Sequence, residues 1–89
     1  MLKPSYSRQF ERDLKKMKKR GMKGEKLKTV IGKLVREISL EPRYKDHKLV
    51  GNYSGRRECH IEPDWLLIYK KTDTDIIFER TGTHSDLFD

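Results

Sequence analysis

Several residue types are scarce or missing in this chain of 89 residues. Alanine is absent, and the only cysteine is Cys59. A single cysteine excludes both an intrachain disulfide framework and a zinc site built from several cysteines. No segment approaches the roughly 20 apolar residues of a membrane-spanning helix. The N-terminus also lacks the apolar stretch of a secretory signal, so we expect a cytoplasmic protein without a membrane segment.

Apolar residues are few, whereas charged residues are abundant. Hydrophobic residues make up 34% of the chain and charged residues 39%. A domain of this size buries roughly 60–65% of the surface that its unfolded chain exposes, so it can build only one small core. We therefore expect residues 1–89 to form a single domain of marginal stability.

The net charge of +7 is distributed unevenly. Residues 1–45 contain 15 basic and 5 acidic side chains, whereas residues 46–89 contain 6 basic and 9 acidic ones. A basic half attracts polyanions, so RNA, DNA and an acidic protein remain possible partners. A solvated lysine-rich helix surface explains the same composition equally well. The densest basic run includes Lys16, Lys18 and Lys19.

The order of the apolar patterns predicts an α+β fold. Residues 2–6 form a short first strand, and Ser7 is the N-cap of a helix containing Phe10, Leu14 and Met17. A second helix continues from Leu27 to Ile38 and ends before Pro42. Three strands follow over residues 56–62, 65–69 and 76–81, and residues 83–89 form a polar tail. We predict a small antiparallel sheet with the two-helix hairpin packed on one face.

The second half of the chain contains the candidate catalytic side chains. The three histidines are His47, His60 and His84. Histidine is the side chain best suited to accept and return a proton near neutral pH. RNA cleavage without a metal needs such groups and a cation that stabilises charge on the phosphate. The acidic and basic candidates near the histidines in sequence are Asp64, Arg56, Arg57 and Arg80.

Other interpretations of these residues remain open at this point. The histidines can be structural, and a zinc site lacks the ligand spacing that would support it. Trp65 can stack on a nucleotide base or pack in the core. Phe88 can likewise anchor the chain end or present a platform for a base.

Two motifs are similar to those of a known toxin family. The first is His-Ile-Glu-Pro-Asp-Trp at residues 60–65, and the second is Arg-Thr-Gly-Thr-His at 80–84 followed by Leu87 and Phe88. Together with Tyr-Lys-Asp-His at 44–47, they resemble the YafQ branch of the RelE/ParE toxin superfamily. The resemblance covers about residues 44–88 and implies a RelE-like fold.

The resemblance also implies a function. Such proteins are toxins of bacterial type II toxin–antitoxin systems, and they cut messenger RNA in the ribosomal A site without a metal or another cofactor. The partners implied are messenger RNA, ribosomal RNA and a cognate antitoxin similar to DinJ, bound in a toxin–antitoxin hetero-oligomer. The basic residues Lys16, Lys18, Lys19, Arg56 and Arg57 are expected to contact RNA.

The resemblance also identifies site residues, and we expect each of them to have a specific role. We expect His84 to act as general base or acid, with His60 and Asp64 as the complementary proton-transfer pair. Arg80 stabilises the transition state and His47 positions or protonates the substrate. Trp65 and Phe88 are expected to hold a substrate base or to shape the site.

Two functions from other classes compete with this expectation. The ParE branch of the superfamily inhibits DNA gyrase without enzymatic activity, but it lacks the histidines found here. A plain RNA-binding module, with the histidines in structural roles, is the second alternative. An enzyme shortens the message in cell-free translation, whereas a binding module only blocks it.

Overall fold

In the computed structural model, which describes residues 1–88, five strands form one sheet and three helices pack on its two faces. Short 3-10 turns lie at Pro42–Tyr44 and Gly51–Tyr53. In these residues no helix is long and apolar enough to cross a membrane. The elements are β1 Lys3–Tyr6, α1 Arg8–Lys19, α2 Gly24–Val35, β2 His47–Lys48, β3 Arg57–Glu62, β4 Trp65–Lys71, β5 Asp75–Gly82 and α3 His84–Phe88.

The strands lie in the order β1-β5-β4-β3-β2. Neighbouring strands from β2 to β5 are antiparallel, as the sequence predicts for this meander. The exception is β1, which pairs in parallel with the first half of β5. Almost the whole chain separates these two strands, so no tight hairpin constrains β1 to run antiparallel. The predicted α+β class is confirmed, with a mixed rather than wholly antiparallel sheet.

The predicted helix pair is confirmed, and the second helix ends earlier than expected. Ser7 caps α1, because its Oγ accepts a hydrogen bond from the Phe10 N–H at 2.9 Å. Helix α2 ends at Val35 rather than continuing to Ile38. Glu37 adopts a left-handed conformation with φ of 59°, which turns the chain out of the helix and leaves Ile38 exposed.

The sheet buries side chains on both of its faces. One face packs against α1 and α2 through residues such as Leu67 and Phe78. The other face carries Leu66 and Ile68, which pack against Leu87 of α3. Strand β4 therefore contributes to both clusters, as its nearly continuous apolar sequence predicts. The expectation of only one small core was wrong, because α3 covers a second cluster on the other face.

Two elements were not expected from the sequence. Strand β2 has only two residues, and α3 replaces the polar tail that we predicted for residues 83–89. Strand β2 extends the sheet as its edge strand beside β3, whereas α3 packs on the face of the sheet opposite the helical hairpin. We call this surface the α3 face.

Candidate active site

The three histidines meet on the α3 face although they lie in three separate elements. His47 lies on β2, His60 on β3 and His84 at the start of α3. The ring centroids of His47 and His60 are 6.3 Å apart, and those of His60 and His84 are 5.7 Å apart. The cluster is open to solvent at His84, whose side chain is about half exposed. Two imidazole rings, a type of side chain that can transfer protons, are therefore close enough to contact one substrate group.

Glu58 is a member of the cluster that we did not predict as a site residue. Its Oε1 lies 3.5 Å from His47 Nε2 and 3.5 Å from His60 Nε2. Side chains alternate along β3, so Glu58 and His60 lie on the same face. This alternation was the one feature of the sequence that indicated Glu58 as a neighbour of His60. A carboxylate in an alternating strand is also typical of a solvated surface, so this signal alone was not decisive.

Glu58 is nearly fully buried, with 5% of its surface exposed. Its second oxygen, Oε2, has no hydrogen-bond partner among the described residues. A buried carboxylate oxygen without a donor is costly. We expect such a group at a site where function, rather than packing, determines the residue type.

One hydrogen bond and one nearby carboxylate determine the surroundings of the His47 ring. Its Nδ1 lies 2.6 Å from the backbone carbonyl of Lys45, so this nitrogen is the donor and carries the proton. Its Nε2 is then left to face Glu58. Lys45 adopts a left-handed conformation with φ of 47°, and this unusual backbone directs its carbonyl to the histidine.

Asp64 partners His84 rather than His60, which corrects the pairing expected from the sequence. Its Oδ1 lies 2.6 Å from His84 Nδ1 and accepts the backbone N–H of His84 at 2.9 Å. The backbone N–H, followed by the ring, lowers the pKa of the Asp64 carboxyl. The ionised carboxylate holds Nδ1 of His84, so the Nε2 nitrogen remains for substrate.

Helix α3 is fixed to α1 through Asp86. Thr83 and Asp86 cap each other reciprocally: Thr83 N–H donates to Asp86 Oδ2 at 3.0 Å, and Asp86 N–H donates to Thr83 Oγ1 at 3.1 Å. Asp86 also pairs with Arg20 at 2.6 Å and Lys16 at 3.4 Å. The hydrogen bond from Arg20, and next that from the Thr83 N–H, holds the pKa of Asp86 well below its usual range. Lys16 therefore has a structural partner as well as an exposed side chain.

Replacing Asp86 with asparagine should lower stability and the cleavage rate together, because α3 carries His84. We expect a loss of about 1–2 kcal/mol, since charge-assisted bonds to partly exposed cations are only moderately strong. The folded-state pKa of Asp86 is lowered, so its contribution is complete above the ordinary carboxyl pKa of about 4 and disappears as pH falls through the lower folded value. The melting temperatures of Asp86→Asn and of the unsubstituted protein, measured between about pH 2 and 7, show how this loss of stability depends on pH.

A matched control for this substitution is Asp73→Asn, because Asp73 is an exposed turn carboxylate. The stability gap between Asp86→Asn and the unsubstituted protein should narrow in acid, whereas Asp73→Asn should follow the unsubstituted protein at every pH. A gap that stays constant down to pH 2 would contradict the ion-pair explanation.

Arg80 supplies a fixed cation on the same face. In the register of β4 and β5 it lies opposite Ile68, whose side chain is on the α3 face. Its Nε donates to Asp13 Oδ2 at 2.8 Å, and this hydrogen bond raises the pKa of the Arg80 guanidinium. Asp13 also accepts the Thr81 N–H, so α1 holds Arg80 in place at the edge of β5.

Two predicted substrate-binding residues occupy structural positions instead. Trp65 is 1% exposed, and its Nε1 donates to Thr81 Oγ1 at 2.9 Å, so its ring cannot stack on a substrate base. Arg57 pairs with Asp46 at 3.3 Å and lies beside Tyr69, on the face covered by the helical hairpin. Arg57 is therefore separated from the histidine cluster by the sheet.

The remaining predicted contacts lie on accessible surface. Phe88 is 47% exposed and makes an edge contact with Tyr53 at 5.7 Å, while Leu87 anchors the helix in the core. Arg56, which directly precedes β3, donates a hydrogen bond from Nε to Glu79 Oε1 at 2.8 Å. Lys18 and Lys19 are exposed on α1.

Solved structures share this fold over the whole chain. A crystal structure of the Escherichia coli DinJ–YafQ complex matches with a TM-score of 0.93 and 44% identity, covering 100% of both chains. A metal-bound toxin from Helicobacter pylori matches with a TM-score of 0.92 and 41% identity, covering 99% of this chain and 100% of that one. The structural similarity therefore includes every element that positions the histidine cluster.

Within residues 1–88, no group of three or more histidine, cysteine, aspartate or glutamate side chains is arranged to hold a metal. Cys59 is fully buried on the other side of the sheet, and burial raises the pKa of its thiol. The described side chains do not fit a resident metal in this arrangement.

Sequence comparison agrees with the structural comparison. The mRNA interferase toxin YafQ of Escherichia coli strain K12 is 48% identical over 84 residues, covering 93% of this chain and 91% of that protein. The profile of a family described as "Bacterial toxin of type II toxin-antitoxin system, YafQ" matches residues 2–89. Since this profile includes the histidine cluster and nearly the entire chain, the protein belongs to the YafQ family of bacterial toxins from type II toxin–antitoxin systems.

Proposed function

We propose that this toxin is a cytoplasmic endoribonuclease that cuts messenger RNA in the ribosomal A site by metal-independent acid–base chemistry. The observation that carries this proposal is the convergence of His47, His60 and His84 on one open face, with Asp64 and Glu58 as orienting carboxylates. The identity to an mRNA interferase toxin over most of the chain supports the same activity.

The reaction needs one group that removes a proton and another that supplies one. The ribose 2′-oxygen attacks phosphorus, its proton passes to a histidine, and the new O2′–P bond replaces the P–O5′ bond. A second histidine protonates the leaving 5′-oxygen. The products are a 2′,3′-cyclic phosphate and a 5′-hydroxyl. The 5.7 Å between the ring centroids of His60 and His84 supports roles for these two rings at the two oxygens bonded to one phosphorus.

The other residues on the α3 face support this chemistry. Arg80, held by Asp13, stabilises negative charge that grows on the phosphate. His47 positions the substrate or contributes a proton, and Glu58 orients His47 and His60. Phe88, with its half-exposed ring, holds a base beside His84.

Binding partners follow from the charge distribution and from the relatives. The exposed lysines Lys18 and Lys19, together with Lys16 and Arg56, contact ribosomal RNA and the message. A related toxin is seen in complex with DinJ, so we propose that a DinJ-like antitoxin binds this chain in a hetero-oligomer. The antitoxin then neutralises the toxin by covering the surface that approaches RNA.

Primer extension on a message in a cell-free translation system tests the proposal. We expect new 5′ ends, carrying hydroxyl groups, after addition of the purified protein. Protein treated with EDTA and then assayed at the magnesium concentration that ribosomes need should produce the same ends. Ends carrying 5′-phosphates would contradict the mechanism. An intact message with blocked translation would indicate a binding module, and normal translation would direct attention to DNA gyrase.

A further inference from the structure

A cleft of about 490 Å³ adjoins the histidine cluster at the outer edge of β3. Strand β2 pairs only with Arg57 and Glu58, so the rest of that edge faces the 3-10 turn Pro42–Tyr44 and helix α2. His60 lines the cleft and belongs to the histidine cluster. A polymer bound across His60 therefore continues directly into this space.

The cleft is basic, and its carboxylate is already paired. Lys26, Arg43 and Lys45 line it, together with Glu62. Glu62 Oε1 lies 3.1 Å from Lys26 Nζ, which neutralises both charges. Arg43 has only a loose pair with Glu41 at 3.7 Å, and Lys45 makes no ion pair within the described residues. Two cations are therefore left to bind an anion.

Tyr44 adds an aromatic support to the cleft. The Arg43 guanidinium lies 4.9 Å from the centre of the Tyr44 ring, and its Nη2 donates to the Tyr44 hydroxyl at 3.0 Å. These contacts hold the guanidinium while its side chain stays 70% exposed. A planar guanidinium with a fixed position can stack on a nucleotide base or bond a phosphate with two N–H groups.

Lys45 occupies a backbone conformation that glycine or asparagine would adopt at lower cost. The same conformation directs its carbonyl to His47, which links the cleft to the orientation of a site histidine. Lys45 also lines the cleft. A lysine at this strained position has a functional explanation if its charge contacts substrate.

We infer that this cleft binds the nucleotide next to the scissile phosphate of the message, with its phosphate on Lys45 and Arg43 and its base against the Arg43–Tyr44 pair. The inference rests on the proposed ribonuclease function. It assigns the cleft to substrate binding, so these side chains affect affinity for the message more than the chemical step.

The test uses the double variant Arg43→Gln/Lys45→Asn, because asparagine tolerates the left-handed conformation. Its matched control is Lys3→Gln/Lys28→Gln, which removes the same charge from two exposed positions outside the cleft. Toxin binding is measured at several salt concentrations on ribosomes whose A-site codon carries 2′-O-methyl groups and cannot be cut. A parallel series uses ribosomes without message.

We expect the cleft variant to bind programmed ribosomes roughly tenfold or more weakly, with a salt slope lower by about 2. KM for cleavage should rise by a similar factor, with kcat changed less than about threefold. The control should leave the difference between programmed and empty ribosomes unchanged.

Two results would overturn the inference. One is a cleft variant that behaves like the control, and the other is an equal loss of affinity with and without message, which would place ribosomal RNA in the cleft. If the unsubstituted protein cuts no message, the proposed function fails, but the message-dependent binding difference still decides whether RNA occupies the cleft.

Discussion

His84→Ala should lower the rate of message cleavage by roughly 100- to 10,000-fold, because it removes the group that we propose transfers a proton at the scissile phosphate. His84 has an exposed ring held at Nδ1 by Asp64, with Nε2 left for substrate. An exposed side chain contributes little to packing, so the melting temperature should change only slightly. Single-turnover primer extension with saturating programmed ribosomes measures the chemical step directly.

Asp64→Asn tests the effect of the Asp64 charge on His84 without a large change in side-chain size. Asparagine keeps the size of the side chain and can still accept the backbone N–H of His84, but it removes the charge that holds the ring. We expect an intermediate loss and an altered pH profile. If His84→Ala retained most of the activity, our assignment of His84 would be wrong, and His60 with His47 would become the leading candidates.

The face of each strand could be predicted from sequence wherever side-chain alternation was clear. Residues 56–62 alternate, and this pattern predicts that Cys59 and Ile61 share one face and that His60 lies on the other, as the structure has it. The apolar run in β4 correctly predicted burial on both faces. These patterns are local, and they depend only on the two-residue period of a strand.

Features that depend on contacts between distant residues could not be predicted in this way. Helix α3 requires Asp86 to meet Arg20, which lies 66 positions away in sequence. The pairing of Asp64 with His84 similarly joins the β3–β4 turn to the start of α3. Glu58 was overlooked because only the assembled sheet shows that its carboxylate is buried. The motif indicated the residue types of the site, whereas their partners became known only from the fold.

Trp65→Ala should lower the free energy of unfolding by about 3–5 kcal/mol, because it removes the largest buried side chain and its bond to Thr81. A domain of this size has a total stability of roughly 5–15 kcal/mol, so this variant is expected to be partly unfolded at physiological temperature. Urea unfolding at low temperature measures the loss. Activity measured on this variant alone would confuse unfolding with substrate binding.

Trp65→Leu separates these two effects, because leucine keeps an apolar side chain in the core and removes the aromatic surface. We expect reduced stability but an unchanged KM and kcat per folded molecule at a temperature well below melting.

Phe88→Leu changes a half-exposed ring and should show the reverse result. We expect nearly full stability and a KM raised several-fold, because stacking on one base contributes about 1–3 kcal/mol. A raised KM in Trp65→Leu would mean that the indole reaches substrate after a rearrangement of β4. That rearrangement would have to break the bond to Thr81 and open the core beneath the sheet, so the burial of Trp65 favours Phe88 as the aromatic residue that contacts RNA.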